Sequence, residues 1–291
     1  SAVPRGGWRL GSSFLSVTQQ QALPPKLRWG KEKESERPQA DVELFQLVLR
    51  VFTLFQSQSL QDYCLSILQQ LALRDPPLLI SAMGFAARRL DHGPAYAASA
   101  LSVLVRFVNR FPHKVPPWLP MLTEAVLRCL EPSDPTLRRA SLQAATSALY
   151  ELVKTFPMVS FHQTSQRFAV GTADNIIIIY DLRTATRWKM LSGHKARVSA
   201  VKFSEDGNLI ASYSSPEKVV RIWQCVSVGF LGGLLGITGR CVKKHSLPGL
   251  KLPRTQASTL QQLTHVTLDW RSQDEVLLVR ENKERVFIKV Y

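Results

Sequence analysis

The residues best suited to chemistry lie in one stretch, Leu191–Trp223. His194 follows Gly193 there, Ser212 lies in a later apolar run, and Trp223 closes the stretch. An imidazole can act as a general base or as a metal ligand. Either use needs a partner, and neither a nucleophile nor a second metal ligand lies near His194 in the sequence. We therefore interpret His194 as a structural hydrogen-bonding residue.

Other patterns that would indicate catalysis or metal binding are absent from the 291 residues. No Gly-x-Gly-x-x-Gly, phosphate loop, His-Glu-x-x-His or nucleophile elbow occurs. Aspartates such as Asp206 fall in turns, where their preference for bonding the backbone explains them. Zinc spacing and a secreted disulfide framework are also not indicated, so reduced cytosolic thiols are expected. The sequence thus predicts no catalytic residue, no metal and no cofactor. The cysteines are widely spaced: Cys64, Cys129, Cys225 and Cys241.

The charge balance is strongly basic, with 37 Lys and Arg against 22 Asp and Glu, a formal net charge of +15. Such a field favours acidic partners: anionic lipid, nucleic acid or an acidic protein surface. The basic residues are spread over the whole chain and no nucleic-acid-binding motif occurs, so no nucleic acid is expected, although a basic nucleic-acid-binding scaffold stays an alternative. Four basic residues flanking the Gly-His turn are candidates for a partner-facing rim, with ordinary solvated loop charge as the alternative reading. They are Arg183, Arg187, Lys195 and Arg197.

Targeting and membrane signals are weak. Residues 1–30 are basic and Gln-rich without an apolar core, so no signal peptide is predicted. The longest apolar run, residues 226–238, contains four glycines and is shorter than the roughly 20 residues needed to span a bilayer. A soluble or peripheral protein is expected. The chain begins with Ser1 rather than Met, which leaves open that it is a fragment.

Hydrophobic periodicity divides the chain into three parts. Residues 1–40 carry Pro, Gly and a charge run without periodicity and are predicted to be disordered or a linker. Residues 41–156 show apolar positions at i, i+3, i+4 and i+7, with Asp-Pro pairs suited to helix N-caps. About six helices are predicted, either a HEAT- or armadillo-like array or a compact bundle. One predicted stripe is Leu44, Leu47, Val48 and Val51.

From Pro157 the apolar period changes to two, which predicts strands for residues 157–291. The stretch Leu191–Trp223 contains two alternating runs around an Asp-Gly turn and resembles one blade of a WD40 propeller. Tyr180-Asp181 takes the place of the Trp-Asp dipeptide one repeat earlier, and Asp174 fits the turn before it. The distance from Asp181 to Gln224 matches the repeat of about 40–45 residues.

The resemblance implies a hydrogen-bonded relay of His194, Ser212 and Trp223 that fixes neighbouring strands. Asp174, Tyr180 and Asp181 would fill matching structural positions. The usual turn aspartate is missing, since Pro216-Glu217-Lys218 forms that corner, and part of the polar network is therefore predicted to be lost.

About two blades plus a degenerate third, packed by Trp270 and Tyr291, are predicted. A propeller ordinarily needs at least four blades to close. The predicted class is therefore an α + β multidomain protein, a helical array followed by incomplete WD40 blades. Blades elsewhere in a longer chain, the helices or a partner would complete it.

The match sharpens over particular runs, which resemble the C-terminal region of the rabconnectin beta-subunit family. Tyr213 and Gln224, which depart from a generic blade, are shared with that family. The resemblance implies a non-catalytic cytoplasmic scaffold that pairs with a rabconnectin alpha-type subunit. It would lie peripherally on vesicle or endosomal membranes through its partners, and assist vacuolar proton-pump assembly and vesicle trafficking. A generic WD40 adaptor, such as a ubiquitin-ligase substrate receptor, is the alternative. The runs are Val159–Gly171, Tyr180–Ala185, Gly193–Lys195, Ala200–Phe203 and Ala211–Ser214 leading into Trp223-Gln224.

Overall fold

The computed structural model describes residues 39–55, 57–225, 239–247, 266–280 and 283–290. The chain separates into two compact units, residues 1–41 and 42–291, and the second unit contains nearly all the described elements. The predictions for the N-terminal tail, the Gly-rich run 226–238, the loop 247–258 beyond Leu247 and Tyr291 fall outside the described residues.

Six α-helices come first in the described part of the chain. Two of them begin at Asp-Pro pairs, as predicted: the Asp75 carboxylate accepts from the Leu78 amide at 3.0 Å, and Asp134 accepts from the Leu137 amide at 2.9 Å. Proline in the first turn costs no hydrogen bond there. The helices are α1 (Gln39–Leu54), α2 (Gln58–Arg74), α3 (Pro76–Ala86), α4 (Pro94–Arg110), α5 (Leu119–Leu127) and α6 (Pro135–Thr155).

The buried face of α1 differs from the predicted stripe. Phe45, Leu49 and Phe52 are buried together with Val48, whereas Leu47 is 59% exposed and Leu44 is also exposed. Both sides of this helix carry apolar residues at helical spacing, so periodicity admits two stripes. Packing against the neighbouring helices selects one, and the sequence does not encode that choice locally.

The helices pack on those near them in the chain. Helix α3 packs against both α4 and α5, while α4 packs against α6 and also contacts α2. Contacts between a helix and the next but one therefore recur from α2 to α6, as they do in stacked helical hairpins.

Eleven strands follow within the described residues and form three antiparallel sheets. Sheets 1 and 2 have four strands in sequence order, and sheet 3 has three in the order β11-β10-β9. Sheet 1 comprises β1 (Val159–His162), β2 (Arg167–Gly171), β3 (Ile176–Asp181) and β4 (Thr186–Ser192); sheet 2 comprises β5 (Ala200–Phe203), β6 (Leu209–Ser214), β7 (Val219–Gln224) and β8 (Cys241–Ser246); sheet 3 comprises β9 (Thr267–Ser272), β10 (Glu275–Val279) and β11 (Arg285–Lys289).

The three sheets pack face to face, with the first strands β1, β5 and β9 next to one another. Ile177 and Ile179 of sheet 1 share a core with Phe203 and Trp223 of sheet 2. The opposite face of sheet 2 shares a second core with sheet 3, which includes Tyr213 and Val220 against Leu268, Val276 and Leu278. This is the arrangement of consecutive propeller blades, and the predicted class, a helical region followed by an incomplete propeller, is confirmed.

The far face of sheet 1 meets the helices. Phe168, Ile178 and Tyr180 point away from sheet 2, and all three are buried. The Tyr180 hydroxyl donates to Glu124 of α5 at 2.9 Å, and α6 runs almost directly into β1. Of the alternatives left open by the sequence, packing of the strands against the helices is the one observed at this end.

Candidate functional site

The predicted relay residues come from three places in sheet 2 and the segment before it. His194 lies between β4 and β5, Ser212 on β6 and Trp223 on β7. The Trp223 indole N–H donates to the Ser212 hydroxyl oxygen at 2.7 Å, and that hydroxyl lies 2.8 Å from Nε2 of His194. All three side chains are buried. The relay thus links the paired strands β6 and β7 to the segment that precedes β5.

The relay does not lack its carboxylate, and the prediction of a partly lost network was wrong. Glu217 Oε2 lies 2.8 Å from Nδ1 of His194 and also accepts from the Lys195 amide at 3.1 Å. Its other oxygen accepts from Arg221 at 3.2 Å. A glutamate at the corner before β7 therefore supplies the carboxylate of the relay.

The electrostatics of this group favour a neutral imidazole beside a charged carboxylate. Burial lowers the pKa of His194 and outweighs the effect of Glu217. Burial alone would raise the pKa of Glu217, but hydrogen bonds from His194 and the Lys195 amide hold its pKa below the usual value. His194 Nδ1–H then donates to Glu217, and Nε2 accepts from the Ser212 hydroxyl. Each polar atom of the relay has a partner.

The connectivity Ser212–His194–Glu217 is that of a nucleophile, base and acid triad. Its surroundings differ from those of an active site. Ser212 has no exposed surface, and its hydroxyl oxygen already accepts a hydrogen bond from Trp223. A substrate carbonyl therefore has no route to the Ser212 hydroxyl oxygen. We interpret the three side chains as a structural network that holds neighbouring segments of sheet 2 together.

The other predicted structural residues do not join this relay. Asp174 is exposed at the turn between β2 and β3, where its amide donates to the Thr172 hydroxyl at 3.2 Å. Asp181 accepts from the Arg183 amide at 2.9 Å and from its guanidinium. Tyr180 faces the helices, just as Trp223 faces sheet 1, so each aromatic residue packs on the layer that precedes its own sheet.

An anchor that the sequence analysis missed joins the helical array to sheet 1. Glu124 Oε1 accepts from the Tyr180 hydroxyl at 2.9 Å and from Nε of Arg187 at 2.7 Å. Nearby, the Arg138 guanidinium donates to the Arg183 carbonyl at 3.2 Å. Burial raises the pKa of Tyr180, with Glu124 adding to the effect, so the phenol stays a donor. Glu124 lies 56 residues from Tyr180, and no local pattern marks the pair.

The four basic candidates do not form one rim. Arg183 and Arg187 lie at the start of β4, and Lys195 and Arg197 follow its end, so the length of a strand separates the two pairs. Arg187 is bound to Glu124 and Arg183 to Asp181. Lys195 is exposed, and Arg197 is partly buried. Both residues of the first pair are exposed, and each is paired with a carboxylate of this chain.

A seam of hydrogen bonds joins sheets 1 and 2 along their first strands. The Val201 amide donates to the Pro157 carbonyl at 2.9 Å, and the Phe203 amide to the Ser160 hydroxyl at 3.2 Å. At the end of the seam, Nε2 of His162 bonds the Glu205 carbonyl at 2.9 Å. The two sheets are thus fixed by polar contacts as well as by their shared core.

The described residues include neither a cluster of metal ligands nor a membrane-spanning helix. Within the described ranges, no three His, Cys, Asp or Glu residues are grouped so as to hold a metal ion. Nor does any helix there combine the length and apolar character needed to cross a bilayer.

Comparison with known families identifies the repeat itself. Residues 186–224 match the model of the WD domain, G-beta repeat. That range contains β4 of sheet 1 and β5, β6 and β7 of sheet 2, so one sequence repeat spans two sheets and includes the whole relay. The chain therefore contains a WD40 repeat.

Individual relatives share parts of the chain. An uncharacterized WD repeat-containing protein of Synechocystis sp. is 35% identical over 75 residues, which cover 26% of this chain and 21% of that protein. The beta-propeller domain of Cps50 (Swd1) from Myceliophteria thermophila is similar at 16% identity and a TM-score of 0.33, over 46% of this chain and 34% of that chain. Kluyveromyces lactis Hsv2 is similar at 14% identity and a TM-score of 0.34, over 46% of this chain and 41% of that chain.

The repeat, the sheets and the buried relay together support one class of function. They support a WD-repeat protein-interaction scaffold.

Proposed function

We propose that the chain is a non-catalytic scaffold of the rabconnectin beta-subunit type. In this role it pairs with a rabconnectin alpha-type subunit, lies peripherally on vesicle or endosomal membranes through its partners, and assists vacuolar proton-pump assembly and activity. The observation that carries the proposal is the direct union of a helical array with an incomplete stack of WD-type sheets, held by Glu124.

One sequence departure from an ordinary blade adds support, because it has a structural use. Tyr213 is buried in the core shared by sheets 2 and 3, where a glycine would leave space. The run that resembles the rabconnectin family is therefore built into this stack of sheets.

The buried serine supports the absence of catalysis in this proposal. Ser212 is inaccessible, so the one nucleophile-like group in the relay has no path to a substrate. The basic charge of +15 suits acidic surfaces on partner subunits.

The test is identification of the proteins that travel with the tagged chain from a membrane lysate. A rabconnectin alpha-type subunit together with cytosolic-sector pump subunits is the expected result, with slower vesicle acidification after depletion. Recovery of cullin adaptors instead would favour the ubiquitin-ligase reading and overturn the proposal. The matched control is Glu124→Ala combined with Arg187→Ala, which loosens the union of helices and sheets while leaving sheets 2 and 3 intact.

A further inference from the structure

The outer edge of sheet 3 differs from those of sheets 1 and 2. In sheet 1 a fourth strand, β4, pairs with β3, and in sheet 2 the fourth strand β8 pairs with β7. Among the described residues, no strand pairs with the outer side of β11. All of β3 is buried, whereas Phe287 in the middle of β11 is 57% exposed.

The ladder between β10 and β11 fixes which main-chain groups point outward. The Val290 amide donates to the Asp274 carbonyl at 2.7 Å, and the Arg280 amide donates to the Glu284 carbonyl at 3.0 Å. Bonded pairs recur at every second residue of an antiparallel ladder. In this register the intervening bonded pairs are 276 with 288 and 278 with 286.

It follows that Arg285, Phe287 and Lys289 turn their main-chain N–H and C=O groups away from β10. Their side chains also share one face, opposite to Ile288, which is buried in the core with sheet 2. Such an edge is a template for one more strand.

The charges on this edge select the kind of strand. Arg285 and Lys289 are both exposed, and neither forms an ion pair with a described residue. A second copy pairing antiparallel through β11 would place Arg285 opposite Lys289 and the two phenylalanines opposite each other. Like charges directly opposite are destabilising, whereas opposite charges stabilise a cross-strand pair.

We propose that β11 binds an extended acidic segment of a partner protein as the missing fourth strand of sheet 3. The segment carries carboxylates at its first and fifth positions, opposite Arg285 and Lys289, and an apolar side chain at its third position on Phe287. Main-chain hydrogen bonds to the three outward residues supply affinity, and the two cations supply specificity. This surface operates whichever complex the scaffold joins, so it stands apart from the proton-pump proposal.

The first test uses the whole 291-residue chain and a synthetic nonapeptide with the core Glu-Val-Tyr-Val-Glu. Amide hydrogen exchange is read residue by residue by NMR. The amides of Arg285, Phe287 and Lys289 are expected to exchange fast in the free protein and to become protected on peptide addition. The amides of Val286 and Ile288 are expected to be protected throughout, because they already bond β10.

Variants separate main-chain pairing from charge. Phe287→Pro removes an outward N–H without breaking a bond to β10, and Phe287→Ala removes the same ring but keeps that N–H. The Pro variant is expected to bind the peptide about fivefold or more weakly than the Ala variant. Arg285→Glu with Lys289→Glu is expected to weaken the acidic peptide about tenfold and to favour a matched Lys-Val-Tyr-Val-Lys peptide.

A reversal of peptide preference cannot come from loss of folding, so the charge variant keeps the proposal falsifiable if the proline variant unfolds. Three results would overturn the proposal: the outward amides are already protected in the free chain, they stay unprotected with peptide, or the Glu variant keeps its preference for the acidic peptide. The first of these would mean that another part of this chain, or a second copy, occupies the edge.

Discussion

Glu217 accepts a hydrogen bond from Nδ1 of His194 at 2.8 Å across 23 residues of sequence. The same carboxylate accepts from the Lys195 amide and from Arg221. One side chain therefore closes the segment between sheets 1 and 2 and fixes the corner between β6 and β7. Because the side chains of His194 and Arg221 are buried or nearly so, removing Glu217 leaves their donors without an acceptor.

Glu217→Ala is expected to lower the free energy of unfolding by about 2–4 kcal/mol, since a buried network loses one partner. Glu217→Gln is the matched control, because its amide oxygen still accepts from His194 but lacks the charge that pairs with Arg221. Its cost is expected to be smaller. Urea unfolding followed by circular dichroism measures both, and equal costs for Ala and Gln would contradict a role for the oxygen itself.

Ser212 and Trp223 are expected to act as a coupled pair. Ser212→Ala leaves the indole N–H and Nε2 of His194 unpaired and is expected to cost about 2–3 kcal/mol, against about 1–2 kcal/mol for Trp223→Phe. The double variant loses their shared hydrogen bond only once. A double-mutant cycle in urea is expected to give a coupling of about 0.5–1.5 kcal/mol, and strictly additive costs would show that the 2.7 Å contact contributes nothing.

Stability is expected to fall on mild acidification through His194. Burial lowers its pKa below the ordinary 6.5, so the unfolded chain binds a proton before the folded one does. Stability from this group is fully present above pH 6.5 and is lost as pH falls from 6.5 toward the folded pKa. The lowered pKa of Glu217 adds a loss in the same direction at still lower pH.

The measurement is the urea midpoint from about pH 7.5 to about pH 5, compared between the wild-type chain and His194→Gln. The variant is less stable at neutral pH, but its stability is expected to change less over this interval. The other histidines remain in both proteins, so the difference in slope reports the pair of His194 and Glu217. Parallel curves would rule out a buried neutral imidazole.

The union of helices and sheet 1 is expected to depend on Glu124. Glu124→Ala removes the acceptor for both the Tyr180 hydroxyl and Arg187 and is expected to cost about 1–2 kcal/mol. Tyr180→Phe, which removes only one donor, is expected to cost less. In calorimetry the unfolding transition of Glu124→Ala is expected to be broader or split, because the helices and the sheets then unfold with less coupling. A single sharp transition at an unchanged temperature would argue against a stabilising role for Glu124.

The sequence predicted those features that local patterns encode. The change of apolar period at Pro157 separates helices from strands, and the Asp-Pro pairs mark two helix starts. The relay of His194, Ser212 and Trp223 was predicted from the resemblance to a WD40 blade, and the structure has its hydrogen bonds.

The features that could not be predicted from the sequence depend on contacts between segments that are distant in the chain. Glu217 and Glu124 look like ordinary surface glutamates until the fold brings His194 and Tyr180 to them. The prediction of which face of α1 is buried was wrong. Both faces of this helix carry apolar residues at helical spacing, so the periodicity does not distinguish them. The four candidates for a basic rim lie near the two ends of β4, and their partner-facing role stays a prediction.

Gly207 in the turn between β5 and β6 tests the seam between sheets 1 and 2. Its φ is +70°, and an added Cβ would collide with Cε1 of the His162 ring. That ring is held in place by the Glu205 carbonyl and the Ser165 hydroxyl. Gly207→Ala therefore has to strain the backbone and displace a bonded imidazole, with an expected cost of about 2–4 kcal/mol.

Gly93 provides the matched control for this substitution. Its φ is +86°, but an added Cβ would meet nothing within 4 Å, so Gly93→Ala carries the backbone cost alone, about 1–2 kcal/mol. Adding His162→Ala to Gly207→Ala relieves the collision, so His162→Ala is expected to cost less in that background than in the wild-type chain. Both costs are measured by urea unfolding. Equal costs of His162→Ala in the two backgrounds would mean that the imidazole does not occupy the space beside Gly207 and does not form the last contact of the seam.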